Sequence, residues 1–310
     1  MKKRLLALLL AFTAAPVLAQ PAIYSDARRA ADEDMAPRLV QGMLIEAYGL
    51  EGQYAKWRQP ICLRILGLSP VTAFQVDRRI KEVATLVGAP VDRSETCTST
   101  ISIVVSPDPT ATLELIASQS AKVNGGANGG NGKFPYPVQA WHATILRDYS
   151  GRRNLMLPWE DADIVNGLSP LDSLLVQVAA RYSISSSART GSRANLSRLR
   201  TGQTAELGAA VIVMDSNKIA GKSVGSLSDY FALMALAQHR FNNVCQPAPS
   251  IANLMVEGCA NSVTALSDSD IALLTGLYAT PEEPERVQKA RIIGNMREKM
   301  EALFLASQKR

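Results

Sequence analysis

The sequence predicts an α/β or α+β domain with a mixed β-sheet. Short apolar runs rich in β-branched residues, which are typical of buried strands, alternate with segments whose apolar residues recur at helical spacing. The first two strand candidates are separated by a single helix, which predicts a β-α-β unit with parallel neighbouring strands. We expect a single domain over about residues 50–280, because a chain of 310 residues can bury a large core.

The N-terminal half contains the predicted β-α-β unit. Ser69 and Pro70 are typical of a helix start and Gly88 of a helix end. The elements expected in this half are a leader and amphipathic helix within 20–49, a strand at Pro60–Gly67, a helix between Ser69 and Gly88, a strand at Ile101–Val105, and a helix from Pro107 to Ser118.

A stretch rich in glycine and asparagine separates the two halves. Its sequence, NGGANGGNG at 124–132, has almost no side chains to pack, so we predict a flexible loop over 122–133. The elements expected after it are a strand at Val138–Leu146, a long excursion over 148–204 with a short strand near Leu196–Leu199, a strand at Ala210–Met214, a helix over 226–238, a helix from Ser267 to Tyr278, and a C-terminal helix within 281–310.

The last three helices carry distinct signals. Phe231–Ala237 is apolar on every face, which predicts that the 226–238 helix is buried all round. Ser267 and Asp270 have the spacing of a capping box. In the C-terminal helix, over about 285–306, one face is formed by Ile293, Met296, Met300, Leu303 and Phe304. This stripe either packs on the protein's own core, which we favour, or binds a partner protein.

The first 19 residues have the features of a cleavable secretory signal peptide. Three basic residues precede an apolar stretch from Leu5 to Ala15, and Val17 and Ala19 fit a cleavage site before Gln20. The stretch is shorter than the roughly 20 residues needed to span a bilayer. We therefore predict a periplasmic or secreted protein with no transmembrane segment after cleavage. An uncleaved N-terminal anchor is the alternative.

Removal of the signal peptide changes the charge of the chain. The signal peptide holds three basic residues and no acidic ones, so the formal net charge falls from +5 to +2. A nearly neutral chain lacks the clustered basic surface that nucleic-acid binding requires, and we expect no nucleic-acid partner.

The four cysteines are predicted to form two disulfides, because an even number in an oxidising compartment is typical of a disulfide framework. Of the three pairings that four cysteines allow, we favour the local ones, Cys62 with Cys97 and Cys245 with Cys259. A zinc site is the alternative. The spacings contain no C-x₂-C knuckle, however, and neither of the two histidines is close in sequence.

Residues Gly221–Gly225 match the G-x-S-x-G pattern around the nucleophile of α/β hydrolases. That pattern requires a strand leading directly into the turn, whereas the predicted strand ends near Met214. His239 would lie about 20 Å from Ser223 at ~1.5 Å of rise per residue along the helix. We therefore interpret Ser223 as a helix start. The alternative function is a metal-independent hydrolase that uses Ser223, or paired carboxylates from Glu160, Asp161, Asp163 and Asp172.

Four residues are candidate binding residues, and each also has a structural interpretation. Asp229 and Tyr230 are the polar exceptions on the predicted buried helix; alternatively, Asp229 caps the helix start and Tyr230 fills the core. Trp141 and His142 lie in a predicted strand. No second histidine or carboxylate cluster accompanies His142 at a spacing typical of a catalytic or metal site. This favours a structural role over acid–base chemistry or metal binding. The sequence predicts no metal site and no cofactor.

Short characteristic segments occur in patches over most of residues 50–300. They are Trp57–Cys62 (WRQPIC), Gly67-Leu68, Arg79-Ile80, Cys97, Ile103–Val105, Asp108-Pro109, Trp141-His142 and Leu227–Tyr230 (LSDY). In these segments the chain resembles uncharacterised exported proteins of Gram-negative bacteria. The resemblance implies export and no particular activity.

The second half has a characteristic order of elements: a strand at Val211–Met214, a buried helix, a turn at Pro249–Ile251 and a capped helix from Ser267. In this order it resembles the zincin-like metalloproteases, whose buried helix carries H-E-x-x-H. The nearest register places Asp229, Tyr230 and Leu233 at the histidine, glutamate and histidine positions. The resemblance therefore implies a zincin-like half without the metal. The expected function is a non-catalytic binding module or envelope accessory factor.

Overall fold

The structure, a computed structural model, describes most of the predicted domain. The described residues are Asp32, 34–47, 52–94, 96–97, 99–112, 137–148, 153–156, 203–240, 244–281 and 285–309. The predicted signal peptide at 1–19, the predicted loop at 122–133 and the short strand expected near Leu196–Leu199 lie outside these residues.

A six-stranded mixed β-sheet forms the centre of the fold. Its strands are β1 (Lys56–Trp57), β2 (Leu63–Leu66), β3 (Ile101–Ser106), β4 (Val138–Asp148), β5 (Arg153–Met156) and β6 (Gln203–Asp215). The strand order is β2-β3-β6-β4-β5, and β1 also pairs with β6. The β1, β2, β3 and β6 strands run parallel, whereas β4 is antiparallel to both β5 and β6. The mixed sheet predicted from the sequence is confirmed.

Helices account for most of the remaining described chain. They are α1 (34–43), α2 (Pro70–Val87), α3 (Val224–Leu236), α4 (Asp268–Ala279) and α5 (Glu285–Ser307), with 3₁₀ helices at Ser216–Lys218 and Ile251–Met255. Of the helix expected from Pro107 to Ser118, the described part contains one helical turn at 109–112. The helical C-terminus is confirmed.

The predicted β-α-β unit is confirmed as β2-α2-β3, with Leu63 beside Ile101 in a parallel register. The side chain of Ser69 accepts a hydrogen bond from the Thr72 amide at the start of α2. Gly88 ends the helix in the left-handed conformation, with a φ of 85°, which glycine adopts without a steric cost. Local capping therefore fixes both ends of the helix that joins the two strands.

Helix α3 is buried, as predicted, from Ser226 to Leu236. It packs against α2 on one side and the sheet on the other, within one apolar cluster that includes Ile80 and Ile103. Trp57 of β1 donates from Nε1 to the Ala235 carbonyl at 2.7 Å. The helix begins two residues earlier than expected because Ser223 caps it.

Three further sequence predictions can be compared with local structure. The capping box of Ser267 and Asp270 at the start of α4 is confirmed. The stripe predicted on α5 packs on the protein's own core in part: Met296 and Met300 are buried, with the neighbouring Ile292, in the same apolar cluster as α4. Ile293, Leu303 and Phe304 are only partly buried. Strand β6 begins at Gln203, seven residues before the predicted start. The sequence does not indicate this extension, because Glu206 is charged and interrupts the apolar run. In the structure its buried carboxylate pairs with Arg147 at 3.0 Å and with Arg58 at 3.6 Å.

Both favoured disulfides are present. Cys62 pairs with Cys97 and Cys245 with Cys259, and no cysteine is free. The first disulfide joins the segments that lead into β2 and β3, and the second closes the loop around the 3₁₀ helix Ile251–Met255. Among the described helices, none combines the length and apolar character needed to cross a membrane.

Candidate functional site

An open pocket of about 590 Å³ lies at the N-terminal end of α3. Its polar lining comes from four segments: α2, the turn after β6, the first turns of α3, and the residues that lead into α4. The lining side chains with polar groups are Arg79, Lys222, Ser223, Ser226, Asp229 and Thr264. The pocket therefore lies beyond the carboxyl end of β6, which is where parallel strands of α/β folds present ligand sites.

The turn between β6 and α3 places the serines of the pocket. Asp215 ends β6 and accepts a hydrogen bond from the Asn217 amide, and Gly221 makes the following turn with a φ of 82°. Ser223 then caps α3 by accepting a hydrogen bond from the Ser226 amide at 3.1 Å. The Ser223 and Ser226 hydroxyls are themselves 2.8 Å apart. Ser223 is thus a helix cap, as interpreted from the sequence.

A partly buried ion pair forms one wall of the pocket. Oδ1 of Asp229 accepts a hydrogen bond from Nε of Arg79 at 2.6 Å, and Oδ2 accepts from the Leu266 amide at 2.9 Å. The Asp229 side chain is only 6% exposed, whereas that of Arg79 is 42% exposed. This hydrogen bond raises the pKa of Arg79 above its ordinary value. Each oxygen of Asp229 already accepts one hydrogen bond from within the protein, which makes this carboxylate a poor candidate for a general base.

The structural interpretation of Asp229 as a cap is wrong, because Ser223 holds that position and Asp229 connects α3 to α2 and to the residue before Ser267. Tyr230 fills the core, and its burial raises the pKa of its phenol. It does not line the pocket. Of the candidate pair on α3, the structure therefore brings only Asp229 to the site.

Both histidines lie at the opposite end of α3. Nε2 of His142 donates to the Met234 carbonyl at 3.1 Å, and Nε2 of His239 donates to the Leu233 carbonyl at 2.8 Å. Burial lowers the pKa of His142 to about 3 and that of His239 to about 4, so both are neutral near pH 7. These contacts fit a structural role for His142. Trp141 lies beside Val211 in the β4–β6 register, and its side chain is outside the described part.

The distance between Ser223 and the histidines tests the hydrolase alternative. Ten residues of helix, at ~1.5 Å each, place Ser223 about 15 Å from the carbonyl that binds His239. A serine nucleophile needs a base within hydrogen-bond reach, and neither histidine offers one here. The carboxylates considered for glycoside hydrolysis, Glu160, Asp161, Asp163 and Asp172, lie outside the described residues.

The residues of α3 do not fit a zincin metal. The positions equivalent to H-E-x-x-H hold Asp229, Tyr230 and Leu233, of which only the first is a metal-ligand type. The guanidinium of Arg79 occupies the space beside that carboxylate, and a second cation there would be repelled. No group of three or more histidine, cysteine or acidic residues suited to a metal occurs in the described ranges.

Three pocket residues were not predicted from the sequence: Arg79, Lys222 and Thr264. One signal for Arg79 was present, because a carboxylate on an apolar helix requires a partner when it is buried. The basic residues Arg78, Arg79 and Lys81 of α2 are candidates for that partner, but the sequence does not indicate which one faces α3. Comparison with known proteins adds no further guide: no family model fits the chain, and no curated protein and no solved structure is significantly similar to it.

Proposed function

We propose that the protein is an exported, non-catalytic binding protein of the cell envelope, whose pocket at the start of α3 takes a small acidic ligand. The observation that carries the proposal is the hydrogen bonding of the Asp229 carboxylate. This carboxylate is the acidic group of the pocket lining, and both of its oxygens are engaged within the protein. Among its described lining residues, the pocket therefore presents donors to a ligand and no carboxylate that is free of hydrogen bonds within the protein.

The charges of the pocket indicate the chemistry of the ligand. Arg79 and Asp229 neutralise each other, so Lys222 supplies the uncompensated positive charge of the lining. Hydroxyls of Ser223 and Thr264 add hydrogen-bonding groups around it. A ligand with a carboxylate or phosphate group matches this arrangement, because charge-assisted hydrogen bonds are the stronger ones.

Export is supported by the two disulfides, which persist in oxidising compartments and are rare in the cytosol. The signal-peptide pattern adds a specific expectation, a mature chain that begins at Gln20. The zincin-like half is part of the same proposal, and three features support it: α3 lies against the sheet, the pocket opens beside Asp229, and the Arg79 guanidinium pairs with this carboxylate, which is at the first histidine position of the motif.

Calorimetric titration of the mature protein with succinate and with inorganic phosphate tests the pocket. We expect saturable binding of at least one of them, and no binding of the neutral analogue succinamide. Lys222→Glu should weaken the binding about tenfold or more, since it replaces an attractive charge with a repulsive one. Lys218→Glu is the matched control, because Lys218 is exposed in the preceding 3₁₀ helix and does not line the pocket. Equal effects of the two variants, or no binding of either anion, would refute the acidic-ligand proposal.

A further inference from the structure

Strand β2 lies at an edge of the sheet, and this edge is open among the described residues, since no other strand pairs with it there. At Ile61, just before the strand, the backbone points away from β3: its amide donates to the Pro90 carbonyl at 2.9 Å and its carbonyl accepts from the Asp92 amide at 3.0 Å. The Cys62 carbonyl, one residue on, instead accepts from the amides of Thr100 and Ile101 at the start of β3. Because backbone groups alternate in direction along a strand, those of Leu63 and Ile65 also point outward. They have no hydrogen-bond partner in the part of the chain that the structure describes.

A groove of about 460 Å³ runs between α2 and the segment that pairs with Ile61. Phe74 and Val91 are its apolar lining residues, and the Phe74 side chain is 65% exposed. Four charged residues of α2 also line the groove. They pair with each other, Lys81 with Asp77 at 3.0 Å and Arg78 with Glu82 at 3.4 Å. The groove therefore combines two apolar side chains with paired, balanced charges on its α2 side.

Two arginines beside the open edge remain uncompensated. Arg64 is exposed on the face of β2 opposite to α2, and Arg93 lines the groove where the segment leaves the edge. Within the described ranges neither of them forms an ion pair. The edge therefore offers a backbone template with the positive charge of Arg64 on one face and, on the other, a groove that contains Phe74, Val91 and Arg93.

We propose that the open edge of β2 binds an extended peptide segment of a partner protein by β-augmentation. The main chain of the peptide pairs with Leu63 and Ile65. Because side chains alternate along a strand, every second one faces the groove at Phe74 and Val91, and the others face Arg64. The charge complementarity selects a peptide in which apolar residues alternate with acidic ones.

The charge at Arg64 disfavours a second copy of this chain as the occupant. Two copies related by a two-fold axis would pair their β2 strands antiparallel. In the register that joins the outward-facing backbone of Leu63 to that of Ile65 in the second copy, Arg64 stands directly opposite its own equivalent, and like charges directly opposite destabilise a strand pair. A peptide with acidic residues has no such conflict.

Fluorescence anisotropy of the mature protein with a labelled hexapeptide that alternates valine and aspartate tests the proposal. We expect saturable binding, with loss of binding when lysine replaces aspartate. N-methylation of every second peptide amide should abolish binding when the methylated amides are those that point toward β2, because these can then no longer donate to the strand. Failure of the valine–aspartate peptide to bind, or equal binding of the lysine peptide, would overturn the proposal.

Variants locate the binding to this edge. Ile65→Pro removes an outward amide while leaving the ladder to β3, and should abolish binding. Arg64→Glu should weaken it about tenfold and keeps the test valid if the proline variant does not fold. Leu86→Ser is the matched control, because Leu86 is exposed on α2 about 120° around the helix axis from Phe74. Self-association that Ile65→Pro abolishes, measured by sedimentation velocity, would assign the edge to a second copy and overturn the proposal.

Discussion

The ion pair between Arg79 and Asp229 should be asymmetric in its contribution to stability. Replacement of Arg79 by Met keeps the aliphatic stem but leaves the Asp229 carboxylate, 6% exposed, with the Leu266 amide as its remaining donor. Breaking a fully buried ion pair lowers the free energy of unfolding by about 3–5 kcal/mol, and the partial exposure of Arg79 reduces the expected loss to about 2 kcal/mol. Asp229→Asn leaves Arg79, which is 42% exposed and can be hydrated, so we expect a cost of about 1 kcal/mol.

Urea unfolding followed by tryptophan fluorescence and by circular dichroism measures both changes, provided that the two transitions coincide. Arg78→Met is the matched control on the same helix. Arg78 pairs with Glu82 at 3.4 Å, with both side chains more than half exposed at 67% and 51%. Such a surface pair contributes about 0–0.5 kcal/mol. A larger cost for Asp229→Asn than for Arg79→Met, or equal costs for Arg79→Met and Arg78→Met, would refute the reasoning.

Three further outcomes are expected. The free energy of unfolding should fall as the pH drops below about 6.5, because both histidines bind protons there in the unfolded chain. In the folded protein, buried His142 and His239 have pKa values of about 3 and 4 and stay neutral. At pH 5 the expected loss, measured by urea unfolding, is about 2 kcal/mol per histidine, and unchanged stability would contradict it. Ser223 should resist a fluorophosphonate probe, since no histidine reaches it; covalent labelling detected by mass spectrometry would revive the hydrolase alternative. The oxidised, denatured protein should show no thiol reactive with maleimide, and two labelled cysteines would contradict the disulfides.

Local signals in the sequence were sufficient for the β-α-β unit and for most helix boundaries. Ser69, Gly88 and the Ser267–Asp270 capping box act within one or two turns of chain, so neighbouring residues determine where those helices begin and end. Strand β1 has only two residues and is defined by its pairing with β6. No pattern within two residues can indicate a strand, because periodicity needs several repeats.

The pocket was less predictable because its side chains converge from distant segments. Asp229 was singled out as a polar exception on an apolar helix, but its partner lies 150 residues earlier in the chain. Glu206 shows the same limit: an acidic residue argues against a buried strand until Arg147 is placed beside it. Charges that are buried in pairs look like surface residues in a sequence, since only the tertiary fold reveals the compensation.

Helix α2 lies between the two proposed sites, and the side chains on it separate their tests. Arg79 faces the pocket, whereas Phe74 and Arg78 line the groove at the β2 edge. Glu82 lies 3.4 Å from Arg78 and 3.6 Å from Arg79, so substitution of Glu82 would disturb both sites at once. Lys222 lines the pocket alone and Arg64 belongs to the edge alone. Loss of peptide binding in Arg64→Glu with anion binding intact, and the reverse in Lys222→Glu, would show that the two surfaces act independently.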